Sequence, residues 1–345
     1  MLKNIYGINP DELSLGNLAE LPAYRTGQLF SWLYKHLCSD PNRMLNLPIE
    51  FRSELQERYS FHLPEIESRK SSQDGSTKYR LKLQDGAFIE SVIIPAEKKR
   101  TLCISTQVGC SRNCSFCTTA KQKLSRNLEI DEIVTQVIIA AKELREKEGS
   151  DAKLSNLVLM GMGEPLDNID NVFSFLRLIQ DNRTLAFSPR RTTLSTCGVI
   201  PGIIKMADSG IKAKLAISLN SAIDEKRNLL MPVNRQYPLN ELKQALLYFR
   251  RKSTFRITIE YILIPEVNMA AEDIKALQKF VGDISCKINF IPFNPGLATA
   301  FKAPSSKQIE DFMHKARSLP QAVMLRQSRG ADVFGACGQL GKTKD

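Results

Sequence analysis

The sequence predicts an α/β protein whose core is a partial (β/α)6 barrel, with a small helical unit before it and a tail carrying a cysteine after it. Three observations lead there. Between residues 101 and 320, six short apolar runs alternate with longer stretches of helical period, the pattern of βαβ units on a parallel sheet. Residues 1–64 show only the helical period. The residues with chemistry to offer gather just after the expected strands, at the end of a barrel where sites form.

Taken in order, residues 1–64 hold two helical patterns. Tyr24 to Tyr34 spaces Leu29, Trp32 and Leu33 along one face, and Pro48 to Tyr59 does the same with Phe51, Leu55 and Tyr59. Arg25, Lys35, Arg43, Arg52 and Arg58 decorate them. Two readings stand open: a solvated face around a Trp32 core anchor, or an accessory domain gripping a nucleic-acid backbone through sequence-independent phosphate contacts.

Over 65–100 the period changes to two. Tyr79, Leu81 and Leu83 alternate with Arg80 and Lys82, Asp85-Gly86 makes a turn, and Phe88 to Ile94 returns, which predicts a hairpin extension. Glu90 lies in the returning strand. It is either an exposed strand position or a carboxyl whose pKa is raised for proton transfer.

The core spans 101–320. Strands are expected at Thr101–Thr106, Leu157–Met160, Arg191–Ser195, Ala213–Ser218, Phe255–Leu263 and Lys287–Phe293. Helices are expected at Glu129–Lys147, Ile169–Gln180, Leu239–Arg250, Ala271–Val281 and Ser306–Arg317. The tail, 321–345, adds a strand at Val323–Arg326 and then Cys337 between small residues.

Length allows a large core. No run is apolar enough for a membrane span and the first ten residues lack a secretory pattern, so a cytoplasmic protein without membrane partners is expected. Eight cysteines in that setting favour metal or catalytic roles over disulfides. Lys and Arg number 48 against 37 Asp and Glu, a net charge of +11 that is compatible with a polyanionic partner or with solubility alone.

The most specific pattern is Cys110-x3-Cys114-x2-Cys117. Structural zinc normally takes four protein ligands, and no fourth stands at suitable spacing. A [4Fe-4S] cluster also usually takes four thiolates, so one held by these three keeps an iron open for a small molecule. Disulfides, zinc and incidental cysteines are the alternatives. The spacing, with Phe116 before the last cysteine, resembles the radical S-adenosylmethionine (SAM) superfamily, whose open iron takes the amino and carboxylate groups of SAM. The next expected strand ends in Met160-Gly161-Met162-Gly163-Glu164-Pro165, whose glycines would let backbone approach a ligand closely. Later strands end at Ser195-Thr196-Cys197-Gly198, Ser218-Leu219-Asn220 and Phe293-Asn294-Pro295, each a cap or a ligand contact.

Together with Ala336-Cys337-Gly338-Gln339-Leu340, these motifs in this order resemble one family, the dual-specificity RNA adenosine carbon-2 methyltransferases (RlmN family), from the Tyr24 helix to Cys337. The resemblance implies a radical SAM barrel, a [4Fe-4S] cluster on Cys110, Cys114 and Cys117, and SAM as methyl donor and radical source. SAM would be bound by Gly163, Glu164, Ser195, Ser218, Leu219, Asn220 and Asn294. It implies methylation at carbon 2 of an adenosine in 23S rRNA and of the adenosine 3′ to the anticodon in some tRNAs. Cys337 would carry the methyl, Glu90 would take the ring proton, and Cys103 would attack Cys337 to free the RNA, leaving a disulfide. A flavodoxin-type electron donor and a monomeric state are expected. Many relatives read Ser-Leu-His where this chain has Ser218-Leu219-Asn220. The competing readings are the related carbon-8 adenosine methyltransferase that confers antibiotic resistance and, from another class, a non-catalytic iron-sulfur RNA-binding regulator. The latter would need neither Cys103 nor Cys337. Cys38, Cys197 and Cys286 are read as packing residues.

Overall fold

The structure is a computed structural model and describes residues 2–13, 23–296 and 300–341. Its main sheet has ten strands: β1 (Glu65–Ser71), β2 (Thr77–Lys82), β3 (Phe88–Ala96), β4 (Lys99–Cys103), β5 (Asn156–Leu159), β6 (Thr192–Thr196), β7 (Lys214–Ser218), β8 (Ile257–Leu263), β9 (Cys286–Pro292) and β10 (Ala322–Leu325). They lie side by side in chain order. The first four pair antiparallel. From β4 to β10 every pairing is parallel. The first and last strands do not pair with each other, so the barrel stays open.

Helices make the crossovers that parallel pairing demands. After α1 (Ala23–Phe30) and α2 (Ile49–Arg58) of the N-terminal unit come α3 (Ile130–Glu148), α4 (Ile169–Gln180), α5 (Ile200–Asp208), α6 (Asp224–Leu230), α7 (Leu239–Lys252), α8 (Ala271–Val281) and α9 (Ser306–Ala316). Ile133, Val134, Val137 and Ile138 of α3 are fully buried, as their helical spacing predicts. The central parallel strands are buried on both faces, β7 and β8 burying Leu215, Ala216, Ile217, Ile257 and Ile259, whereas the edge strand β10 exposes Met324 and Leu325.

Three elements depart from the sequence reading. The hairpin has a third strand, β1, whose Glu-Ile-Glu-Ser-Arg-Lys-Ser composition hides any period because it is a sheet edge, where charge discourages unwanted pairing. Helix α5 contains Pro201-Gly202, which reads as a turn. Here Pro201 sits in the first helical turn, where its missing N–H is harmless, and Gly202 packs where a Cβ would come within 2.7 Å of Leu166. In the N-terminal unit Trp32 is only half-buried, and its indole N–H donates to Asn46 Oδ1. The anchors are Leu29, Leu33 and Tyr34, whose hydroxyl donates to the Tyr6 carbonyl at 2.9 Å.

Candidate active site

Cys110, Cys114 and Cys117 are half-buried and line one cavity at the C-terminal ends of β5 to β9. Burial pushes the Cys110 thiol up to about 12 and raises Cys114 and Cys117 as well. Such thiols need a cationic partner to become thiolates. Among the described residues no three His, Cys, Asp or Glu side chains converge on the position of one metal ion. Three thiols lining one cavity are the donor chemistry that an iron-sulfur cluster takes.

The loop after β5 is zipped to the segment after β4. Gly161 N–H donates to the Ile104 carbonyl at 2.9 Å, Met162 N–H to Ser105 Oγ at 2.9 Å, and Thr106 N–H back to the Met162 carbonyl at 2.8 Å. A Cβ on Gly161 would lie 2.6 Å from the Ile104 oxygen, and one on Gly163 would lie 2.6 Å from Gln107 Cβ, where φ is +99° as well. Both glycines also line the cavity. Their close approach is to the protein's own segment after β4, and it fixes the start of the cysteine loop against the loop after β5.

Glu164 is buried and lines the same cavity. Its Oε1 accepts the Leu166 N–H at 3.0 Å and its Oε2 the Cys197 N–H at 2.8 Å. Burial raises its pKa, and these backbone donors oppose the shift. A carboxylate has about four acceptor sites, so capacity remains for a ligand amine. Ser195, Ser218 and Asn220 also line the cavity. Leu219 does not; it is fully buried and its carbonyl accepts from Arg227 Nε at 3.1 Å. Asn294 is half-buried beyond the end of β9 and is not among the lining residues.

Asn220 has φ +59°, a region that Asn and His enter more readily than most residues. Its Oδ1 accepts the Ile262 N–H at 3.0 Å, and its own carbonyl accepts from Asn268 Nδ2 at 2.7 Å. The side chain thereby ties the tip of β7 to β8. Arg227, fully buried, does the same for β6 and β7 by donating to the Cys197 carbonyl at 2.6 Å and to Leu219.

The tail crosses the barrel mouth. Thr118 N–H donates to the Gly338 carbonyl at 2.7 Å and Thr119 Oγ1 to the Leu340 carbonyl at 2.5 Å, which places Cys337 beside the cysteine loop. Cys337 lines the first cavity and also a second, lined by Cys103, Thr101, Met160, Arg326 and Arg329. Burial, followed by the neighbouring Cys337, pushes the Cys103 thiol up to about 12; Arg326 works against the rise. All eight cysteines are free, so the disulfide expected from the family's chemistry between Cys103 and Cys337 is not formed in this structure.

Glu90 lines neither cavity. It is buried and paired, against the exposed alternative: Lys78 Nζ lies 3.3 Å from its Oε1, and the Gly341 N–H donates to its Oε2 at 2.9 Å.

Residues 104–281 match the family model of the radical SAM superfamily, and residues 4–60 match the N-terminal domain of ribosomal RNA large subunit methyltransferases. A dual-specificity RNA methyltransferase RlmN from Geobacter sulfurreducens is 41% identical over 340 residues, 98% of this chain and 91% of its own. A probable one from Clostridium botulinum is 38% identical over 341 residues, 98% and 96% of the two chains. This chain belongs to the RlmN family. A crystal structure of a radical SAM methyltransferase from Sphaerobacter thermophilus superposes with a TM-score of 0.92 at 35% identity, covering 98% of this chain and 99% of that one.

As an RlmN-family radical SAM enzyme, the protein is an RNA methyltransferase that uses a [4Fe-4S] cluster and SAM. Cys110, Cys114 and Cys117 would hold the cluster, and the cavity wall around Glu164, Ser195, Ser218 and Asn220 would hold SAM. Sequence reasoning passed over several residues here. Glu260 on β8 lines the first cavity with Oε2 buried and unpartnered. Arg326, just past β10, lines both cavities, and Arg112 forms a two-pronged pair with Asp167 at the first. The available signals were a lone acid in the middle of an otherwise apolar strand for Glu260 and a charge just past a strand end for Arg326.

Proposed function

We propose that this RlmN-family enzyme methylates carbon 2 of adenosine in 23S rRNA and in tRNA by way of a methyl group carried on Cys337. The observation that supports it best is that Cys337 belongs to two cavities at once, one with the cluster cysteines and one with Cys103. A regulator would have no use for that arrangement. The ring carbon is not nucleophilic, so it cannot take a methyl from a sulfonium as an amine does. When bound, the cluster supplies the electron that cleaves SAM and so a radical able to activate the methyl group.

The chain's own groups do the remainder. Cys337 is a strong nucleophile as thiolate and becomes methylated. Facing both cavities, it presents that methyl to the SAM side and the RNA side in turn. Glu90 takes the ring proton from the RNA adduct, and the adduct's unpaired electron would return to the cluster, leaving a closed-shell thioether. The Cys103 thiolate then attacks the sulfur of Cys337: a sulfur-sulfur bond forms, the carbon-sulfur bond to the RNA breaks, and its electron pair, taking a proton, completes the product methyl. The enzyme acts in the cytoplasm as a monomer, with a flavodoxin-type donor supplying electrons.

Of the basic residues on the N-terminal helices, Arg25, Arg52 and Arg58 are engaged with Gln28 and the Asn46 carbonyl, with the Asn42 carbonyl, and with Glu54. Lys35 and Arg43 are exposed and point to phosphate contacts. The test is anaerobic reconstitution with reductant, SAM and both RNAs, followed by mass spectrometry of the nucleosides. 2-Methyladenosine in both RNAs is expected; 8-methyladenosine, or none, would overturn the reading.

A further inference from the structure

We propose that Lys78 is a positioning residue for Cys337, pinning the catalytic tail on both sides of the cysteine through one buried ion pair. Lysine is among the residues least often buried, and an ammonium out of water requires partners. Lys78 is 4% exposed. Its partners are Glu90 Oε1 and the Phe334 carbonyl, each at 3.3 Å. The other oxygen of Glu90 takes the Gly341 N–H at 2.9 Å. The pair therefore touches the tail at Phe334 and at Gly341, which bracket Cys337.

A second observation points the same way. Phe334 adopts φ +53°, ψ +39°, a left-handed conformation that a bulky side chain enters only when its surroundings impose it. Its carbonyl is the one held by Lys78. Farther upstream the tail is fastened to the β1–β2 turn, with the Gly330 N–H donating to Asp74 Oδ2 at 2.7 Å and Ser72 Oγ to Asp332 Oδ1 at 2.5 Å. Those contacts fix where the tail starts. The Lys78–Glu90 pair fixes the turn that aims Cys337.

The arrangement also bears on Glu90. While the tail is docked, both carboxylate oxygens are engaged and the group lines neither cavity. Lifting the tail frees Oε2 of Glu90 and moves Cys337 in one event, so the carrier's position and the availability of the carboxylate are coupled. This step rests on the reading of Cys337 as methyl carrier.

The test uses the full-length chain without cluster or SAM, reduced and anaerobic. Alkylation of each cysteine by iodoacetamide is followed by peptide mass spectrometry, with hydrogen exchange over the tail. Lys78→Met should alkylate Cys337 at least fivefold faster than wild type and lose protection at Gly341, with Cys286 in the core unchanged. Because a single neutralisation leaves a buried charge and can fail to fold, Lys78→Met/Glu90→Gln is the second variant, with the same expectation. A Cys337 rate within twofold of wild type in a folded variant, or equal acceleration at Cys286, would overturn the proposal. Alkylation needs neither SAM nor RNA. A wild-type enzyme that never carries methyl on Cys337 would defeat the carrier reading and leave this result readable.

Discussion

Glu164 accepts the backbone N–H of Cys197 through Oε2 at 2.8 Å, so the carboxylate that follows β5 is fastened to the tip of β6. The acid is cavity wall as well as a proposed ligand contact. Glu164→Ala should leave the Leu166 and Cys197 donors unsatisfied and cost about 1–3 kcal/mol per buried group. A urea titration would show it as a lower midpoint at unchanged slope. An unaltered midpoint would mean that Glu164 serves only the ligand.

Cys103 gives the pH dependence. Burial pushes its pKa up to about 12, so the neutral thiol dominates at pH 7 and the thiolate fraction rises about tenfold per pH unit below that value. Alkylation of Cys103 in the apoprotein should therefore climb steadily from pH 7 to 10 without levelling near 9. Arg326 favours the charged form, so Arg326→Met should slow the reaction at every pH. A plateau near pH 8.5 would show that Cys103 behaves as an ordinary exposed thiol.

Asn220 answers the question raised by its position in Ser218-Leu219-Asn220. With φ +59° and its Oδ1 on Ile262, it is a structural tie that another left-handed-tolerant residue can occupy. Asn220→Ala should cost about 1–3 kcal/mol from backbone strain and the lost hydrogen bond, and Asn220→His visibly less. Equal losses in thermal denaturation would remove the conformational explanation.

On the N-terminal unit, Lys35→Glu/Arg43→Glu should weaken RNA binding and flatten its salt dependence by about two phosphate contacts. Reductive SAM cleavage without RNA should be unchanged. Arg52→Ala, by contrast, should lower stability through the lost contact to the Asn42 carbonyl. Unchanged RNA affinity across a salt titration of the double variant would place the RNA elsewhere.

Much of the fold was legible because periodicity reports burial. The helix at Ile169–Gln180 and the one at Ala271–Val281 lie where their apolar spacing puts them. Strand β1 was not, since an exposed charged edge has no apolar alternation, and α5 was hidden behind a proline that is harmless in a first turn. At the site, the motifs after β5, β6 and β7 converge on one cavity as the barrel geometry requires, while Asn294 after β9 stays outside it, and side-chain partners did not declare themselves. The bond from Glu164 to Cys197 spans 33 residues and that from Gly341 to Glu90 spans 251. Spacing along the chain carries no trace of contacts that the fold alone creates. Lys78 reads in the sequence as an ordinary residue of a half-exposed strand, and only the tail lying over it makes it a buried ion.

The proposed bonding of RNA to Cys337 and its release by Cys103 are read on a denaturing gel of Cys103→Ala incubated with cluster, reductant, SAM and substrate RNA. The variant should load the methyl and form the adduct but have no thiol to break it, so a nuclease-sensitive band of RNA joined to protein through Cys337 should accumulate, absent from Cys337→Ala. Normal turnover by Cys103→Ala with no such band would mean that release does not depend on Cys103 and that no RNA–Cys337 bond awaits it.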